Sequence, residues 1–235
     1  MLPVRDTVQS KTYPIVTIGL IAANSAVFLY QLSLGSHIER FLATFGLVPA
    51  RYFHYGEFGA DPITRFLPFF SSMFLHGGWF HLIGNMWFLW IFGDNVEDRA
   101  GHVKYLVFYV LCGLAAGFAH VFTNPNSGIP TVGASGAIAG VMGAYFVLYP
   151  RAKIWTLIPI FFFVQIIEIP AFIFLGYWIL VQFLIGTFAV SSSLQGGVAW
   201  WAHIGGFAAG AILIFIFKKR ERRLPRRYAD EYHPW

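Results

Sequence analysis

Charged residues are scarce in this chain: Asp, Glu, Lys and Arg make up 11% of its 235 residues, against 57% hydrophobic residues. A soluble domain normally carries about 25% charged residues. The scarcity excludes an ordinary soluble domain and indicates a polytopic membrane protein. The net charge of +5 does not indicate a nucleic-acid partner, because seven of the sixteen Lys and Arg cluster in Lys218–Arg227, beside the last apolar run. Such a cluster is typical of a cytoplasmic anchor.

Cysteine is almost absent, since Cys112 is the only one. A single cysteine excludes an intramolecular disulfide and any multi-cysteine zinc site. The chain also lacks the H-E-x-x-H motif of zinc proteases, and Asp94 has no second aspartate within a span as partner. Zinc and di-aspartyl proteases are therefore disfavoured, and we expect neither a metal nor an organic cofactor.

Six apolar stretches are candidate membrane helices, because about 20 helical residues cross the hydrocarbon core. The second stretch is short and must extend into semi-polar sequence. The first lacks a signal-peptidase-like site, so we expect it to stay in the mature chain. The predicted spans are Tyr13–Leu34, Trp79–Gly93, Tyr105–Thr123, Val132–Tyr149, Ile169–Thr187 and Ala199–Phe217.

A further apolar stretch, Ile154–Ile169, contains Pro159 and Glu168 and is followed by Pro170, so we interpret it as an interfacial connection. The predicted fold is all-α: a polytopic six-transmembrane-helix bundle with a long interfacial first outer loop. Its parts are a cytoplasmic N-terminal segment (1–12), a membrane domain (13–217) and a basic cytoplasmic tail (218–235).

Loop charges predict the orientation. Basic residues before span one, after spans two and four, and in the tail all fall on one side, whereas the connections Asn124–Thr131 and Val190–Val198 contain none. The positive-inside rule therefore puts both termini in the cytoplasm. The long connection Gly35–Gly78 is rich in aromatic residues, which favour the headgroup region, so we expect it to lie partly in the interface. A folded outer cap without membrane contact is the alternative.

A serine stands in a glycine-bracketed turn, Gly133-Ala134-Ser135-Gly136, at the start of span four. Unpaired amides and the positive dipole end of a helix N-terminus favour a developing negative charge there. Small residues are also ordinary packing devices in membrane helices, and Gly136 and Gly140 fit such a seam. This segment alone favours packing over catalysis.

Span six carries His203 within the stripe of Ala202, Gly206 and Gly210. Two small-residue helices can pack backbone to backbone, which would bring His203 to Ser135. A serine hydroxyl becomes a good nucleophile when a neighbouring base takes its proton. Polar groups at membrane depth are costly and indicate function, so the pair favours catalysis over a structural hydrogen bond.

Span two begins with His81 and Asn85, which share one helical face because they are four residues apart. With the amide of Ser135 they could form an oxyanion hole. The alternatives are a structural hydrogen bond for His81 and an interhelical contact for Asn85.

Taken together, these motifs resemble the rhomboid family of intramembrane serine proteases. The resemblance implies a dyad of Ser135 and His203 without an acidic third member. It also implies oxyanion donors at His81, Asn85 and the Ser135 amide, and close helix contact at glycines, for which we name Gly133, Gly136 and Gly206. His76 matches a further family histidine, which we take as structural. Two positions depart from the family: Ala139 stands where some members have a supporting tyrosine, and Arg65 matches only weakly a Trp-Arg pair of the first outer connection.

The expected function is that of a serine endopeptidase that cleaves transmembrane segments of membrane-protein substrates near the outer face, with span five as a lateral gate. The alternatives are a catalytically inactive rhomboid-like protein that binds membrane clients, and a transporter or channel. The expected partners are transmembrane substrates and the lipid bilayer, with no nucleic acid and no indication of an oligomeric state. A small core without extra domains favours a prokaryotic plasma membrane.

Overall fold

A computed structural model describes residues 1–53, 62–160, 163–191 and 199–219. Two predicted features lie wholly or mostly outside these residues: the connection before the last helix and the basic tail beyond residue 219. The described chain is mostly helical. Its helices are α1 (Ile15–Ser33), α2 (Ile38–Phe45), α3 (Pro62–Ser71), α4 (Trp79–Ala100), α5 (His102–Thr123), α6 (Ser135–Leu148), α7 (Ala171–Ser191) and α8 (Trp200–Phe217), with short 3-10 turns at Gly35–His37, Pro49–Tyr52 and Ser72–Phe74.

Four of these helices, α1, α5, α7 and α8, are long and apolar enough to cross a membrane. The two other predicted spans correspond to α4 and α6. Helix α4 extends the predicted second span at its C-terminal end, into the polar sequence from Asp94 to Ala100. Helix α6 has only 14 residues and begins at Ser135, three residues later than predicted. The count of six membrane spans stays a prediction.

Helix α6 is the centre of the bundle, since its residues from Gly136 to Tyr145 are all buried. Its closest neighbour is α8. A Cβ built at Gly206 would lie 2.0 Å from the carbonyl oxygen of Gly136, and one at Gly210 would lie 1.8 Å from that of Gly140. Only glycine permits such backbone contact, as small-residue stripes allow in membrane helices.

A small antiparallel sheet lies at one end of the bundle, in the order β1 (Leu2–Asp6), β2 (Lys153–Ile160), β3 (Phe163–Pro170). The stretch interpreted as an interfacial connection is therefore a pair of strands, and the N-terminal segment supplies the third. β-branched residues favour strands here. Pro159 is tolerated because it lies beyond the part of β2 that pairs with β1, which ends at Leu157. The sheet adds to the helical fold and does not change its class.

The sheet end of the bundle is the end where α4, α6 and α8 finish and α1, α5 and α7 begin. Here the fully buried Glu97 accepts hydrogen bonds from the backbone amides of Val16 at 2.9 Å and Thr17 at 2.8 Å, and from the Thr17 hydroxyl at 2.7 Å. Its carboxylate also lies 2.6 Å from Nδ1 of His102. Glu97 of α4 thus caps the N-terminus of α1, where free amides and the helix dipole favour an anion.

The described part of the first outer connection packs against α5. The ring of Phe69 lies 5.0 Å from that of Tyr52 and 4.4 Å from that of Phe118, measured between centroids. The Tyr52 hydroxyl donates to the carbonyl of Arg65 at 2.8 Å, so Arg65 joins α3 to the turn before it. Several apolar side chains of α3 remain exposed: Ile63, Phe66, Leu67 and Phe70. Such exposure is consistent with the predicted interfacial position.

Candidate active site

Ser135 is the first residue of α6, at the opposite end of the bundle from the sheet, which we call the site end. Two backbone contacts fix the turn before it: the Gly133 amide donates to the Ser72 carbonyl at 2.9 Å, and Thr131 pairs with Leu47. Gly133 has φ of 131°, which strongly favours glycine. No side chain of the described residues caps α6, so within them its first amides have no side-chain capping partner.

The structure brings His203 to Ser135: its Nε2 lies 2.8 Å from the serine Oγ. His203 stands on α8 one turn before Gly206, where α6 and α8 are in backbone contact. The close helix approach thus determines the distance between the two side chains. The geometry is that of a nucleophile paired with its base.

Two further residues hold the imidazole of His203, and the sequence analysis missed both. Gln182 of α7 is buried, and its Oε1 lies 2.7 Å from Nδ1 of His203. Trp178 stands one turn earlier on α7, with its ring 5.8 Å from the imidazole. The family resemblance implies support from a tyrosine where this chain has Ala139, and the contacts found for the imidazole here come instead from the neighbouring helix α7. A signal existed: Gln182 is the one amide side chain in an otherwise apolar span.

His81 lies beside the turn that carries Ser135. A Cβ built at Gly133 would lie 2.7 Å from Nε2 of His81, so only glycine fits there. On the other side of the ring, the backbone amide of Gly77 donates to Nδ1 at 3.4 Å. An Nδ1 that accepts leaves the proton on Nε2. The imidazole therefore presents an N–H donor to the turn that carries Ser135.

Asn85 lies one turn further along α4, buried in the wall of a cavity that Ser135, His203 and His81 also line. Among the described residues, its amide nitrogen Nδ2 has no hydrogen-bond partner. A buried donor without a partner costs about 1–3 kcal/mol, so such a group calls for an explanation. The free donor of Asn85 and the N–H of His81 belong to the same face of α4.

Other polar groups surround this centre. His76 contacts the ring of His81, with centroids 5.2 Å apart, and its backbone is held on both sides by the buried amide of Gln31, at 3.0 Å each. Through these two bonds with Gln31, His76 anchors the segment before α4 to α1, which fits a structural role. His120 of α5 also lies in this region, with its Nε2 2.8 Å from the Thr131 hydroxyl.

A cavity of about 1150 Å³ is lined by Ser135, His203, His81, Asn85 and His120, and it is bounded by α4, α5, α6, α7 and α8. Its described lining includes no Asp or Glu. Among the described residues, no cluster of His, Cys, Asp or Glu could hold a metal ion. The cavity is large enough for an extended peptide segment, and its chemistry rests on neutral side chains and backbone amides.

Comparison with known proteins identifies a family model and relatives that match this chain. The family model described as "Rhomboid domain" matches residues 64–220. The chain is 26% identical over 206 residues to rhomboid-like protein 11, chloroplastic, of Arabidopsis thaliana, covering 84% of this chain and 66% of the relative. It is 27% identical over 226 residues to rhomboid protein 1, mitochondrial, of Saccharomyces cerevisiae, covering 91% and 58%.

A third relative, RHOMBOID-like protein 1 of Arabidopsis thaliana, is 30% identical over 167 residues, covering 68% of this chain and 38% of the relative. The chain thus spans between 38% and 66% of the length of these three relatives. The compartments in their names are organelles, which gives no support to the expected prokaryotic plasma membrane. Since the matching domain covers well over half of the residues and includes every element of the site, the chain belongs to the rhomboid family.

Proposed function

We propose that this protein is a serine endopeptidase that cleaves transmembrane segments within the membrane. The observation that carries the proposal is the 2.8 Å contact between Ser135 Oγ and His203 Nε2, at the wall of a cavity inside a largely apolar bundle. Polar and ionisable side chains inside a membrane are energetically costly, so their presence there indicates a functional site. The family membership and the unpartnered donor of Asn85 support the same conclusion.

The mechanism begins with proton transfer from the Ser135 hydroxyl to Nε2 of His203 as Oγ attacks a peptide carbonyl carbon. The oxyanion is stabilised by the Nε2–H of His81, the amide of Asn85 and the backbone N–H of Ser135. His203 then donates its proton to the leaving amine. Water, deprotonated by the same imidazole, hydrolyses the acyl-enzyme and restores Ser135.

The substrates are membrane proteins whose helix unwinds near the site end, because a fully hydrogen-bonded helix does not expose its carbonyls. Small or helix-breaking residues near the scissile bond are expected. Helix α7 is the proposed lateral gate, since it packs mainly on α8 and exposes apolar side chains along the rest of its surface. The lipid bilayer and the transmembrane substrate are the proposed partners.

The proposed orientation places the sheet end in the cytoplasm and the site end at the outer face. Basic side chains collect at the sheet end and follow the positive-inside rule there: Arg5, Arg99, Lys104, Arg151, Lys153, Lys218 and Lys219. Cleavage would then occur near the outer face, with both termini in the cytoplasm.

The test uses purified protein in liposomes with a model transmembrane substrate. Ser135→Ala and His203→Ala should each lower kcat by about 10³-fold or more, because nucleophile and base act as a unit. A fluorophosphonate probe should label the wild type and not Ser135→Ala, and unchanged thermal unfolding shows that each variant is folded. Wild-type activity in either folded variant contradicts the proposal. Substrate binding without cleavage by the wild type would instead favour the inactive client-binding protein.

A further inference from the structure

The base of this site has a hydrogen-bond partner that the Ser–His pair does not require. The amide oxygen of Gln182 lies 2.7 Å from Nδ1 of His203, and the nucleophile lies 2.8 Å from Nε2 of the same ring. The imidazole is thus bound at both nitrogens, by α7 on one side and by α6 on the other.

The two contacts are linked through the ring's single proton. In neutral imidazole, one nitrogen carries the proton and donates, and the other accepts. The amide oxygen of Gln182 can only accept, so it favours the tautomer with the proton on Nδ1. That tautomer leaves Nε2 with a free lone pair, which is the state in which His203 can take the proton of Ser135.

Gln182 is well placed for this task. It is 6% exposed, so water competes little for the imidazole nitrogen. No Asp or Glu is found in the described lining of the cavity that could orient the ring as the carboxylate of a catalytic triad does. Trp178, one turn away on α7, restricts the ring plane, and Trp200 contacts it from α8 with centroids 6.4 Å apart.

We propose that Gln182 is the positioning residue of the base: its amide oxygen accepts Nδ1–H of His203 and thereby holds Nε2 free for Ser135. This inference rests on the proposed function, in which His203 is the base. It also gives α7 a role in the chemistry, because seating of this helix against α8 brings the amide to the imidazole.

The test replaces the amide with a methionine side chain of similar length, whose thioether sulfur is only a weak hydrogen-bond acceptor. Gln182→Met should lower kcat by about tenfold to a hundredfold with little change in KM, since orientation of the base acts on the chemical step. The matched control is Leu175→Met, a fully buried α7 position two turns earlier that does not line the cavity. This control should keep wild-type kcat. Gln182→Glu retains an acceptor oxygen and should restore kcat to within about threefold of wild type.

A spectroscopic measurement tests the same claim without activity. In protein labelled with 15N-histidine, the His203 signals are assigned by their loss in His203→Asn, and the nitrogen that carries the proton is read from its coupling. Wild type and Gln182→Glu should be protonated on Nδ1, and Gln182→Met should lose that preference. Protonation on Nε2 in the wild type would overturn the proposal. So would an unchanged tautomer in folded Gln182→Met, or a kcat of that variant within about twofold of wild type.

The two readouts separate this inference from the proposed function. If the wild type neither cleaves nor reacts with a fluorophosphonate, the protease assignment fails. The tautomer of His203 still reports whether Gln182 sets it.

Discussion

Helix α4 carries buried polar side chains near both of its ends, and the two ends use them differently. Near the sheet end, both carboxylate oxygens of Glu97 are engaged, by the first amides of α1 and by His102. Near the site end, about 18 Å away along the helix axis, the amide nitrogen of Asn85 has no partner in the part of the chain that the structure describes, and Asn85 lines a cavity. One group holds helices together, and the other is left free.

Glu97 and Asn85 therefore contribute to the free energy of unfolding with opposite signs. A satisfied buried anion that caps a helix stabilises the folded chain. An unsatisfied buried donor destabilises it, and a donor that lines a cavity is available to a ligand or transition state that supplies the missing acceptor. Substitutions at the two ends should therefore affect different quantities: the free energy of unfolding at the sheet end, and kcat at the site end.

The largest effect is expected at the sheet end. Glu97→Ala leaves two amides of α1 and the Thr17 hydroxyl without an acceptor, so the free energy of unfolding should fall by about 4 kcal/mol. Glu168→Ala is the control, because its ion pair with Lys153 is exposed on both sides and should contribute about 1 kcal/mol or less. Denaturant unfolding in detergent gives both values. Equal losses in the two variants would contradict the structural role assigned to Glu97.

The next largest effect is expected at the site end, where the substitution should lower kcat without lowering the free energy of unfolding. Asn85→Ala removes one of the proposed oxyanion donors, so kcat should fall by about 10²-fold, equivalent to about 3 kcal/mol in the transition state. The free energy of unfolding should stay the same or rise, since the donor lost had no partner. Kinetics and unfolding on the same preparation check both. A folded variant with wild-type kcat would make Asn85 a purely structural residue and remove the contrast between the ends.

The sequence predicted the site end better than the sheet end, for physical reasons. Small residues around Ser135 and His203 specify a close helix contact, and helical spacing puts His81 and Asn85 on one face, so these residues could be named before the structure. The resemblance to the rhomboid family is confirmed by the family match. The catalytic roles themselves stay predictions, as does the number of membrane spans.

The parts that were missed depend on distant pairing. β1 lies in the segment that the sequence predicts only as a cytoplasmic N-terminal segment. It becomes a strand because it pairs with β2, about 150 residues later in the chain. Gln182 stands out as an amide in an apolar span, but it was overlooked because nothing in the local sequence of α7 indicates that it faces His203 of α8. Local patterns report periodicity and cost at membrane depth, whereas such partners are fixed by how the helices pack.

The smallest expected effect concerns pH at the sheet end. Asp6 of β1 accepts hydrogen bonds from the Tyr145 hydroxyl and from the Asn95 amide at 2.9 Å. Burial raises the pKa of Asp6 from 3.8 to about 6, and the nearby Asp94 adds to this effect while the Tyr145 bond opposes it. Between pH 3.8 and about pH 6, the folded chain therefore keeps a proton on Asp6 that the unfolded chain has already lost.

The sign follows from linkage: stability falls with rising pH wherever the folded state binds more protons than the unfolded state. The contribution of protonated Asp6 should thus be present below pH 3.8 and decline until about pH 6. Asp6→Asn keeps an oxygen for Tyr145 but cannot titrate, so its unfolding free energy should rise relative to wild type across that window and run parallel above it. Thermal or denaturant unfolding at a series of pH values measures the difference. Parallel curves throughout would mean that folding does not raise the pKa of Asp6, and that the carboxyl at this end is as well solvated as in the unfolded chain.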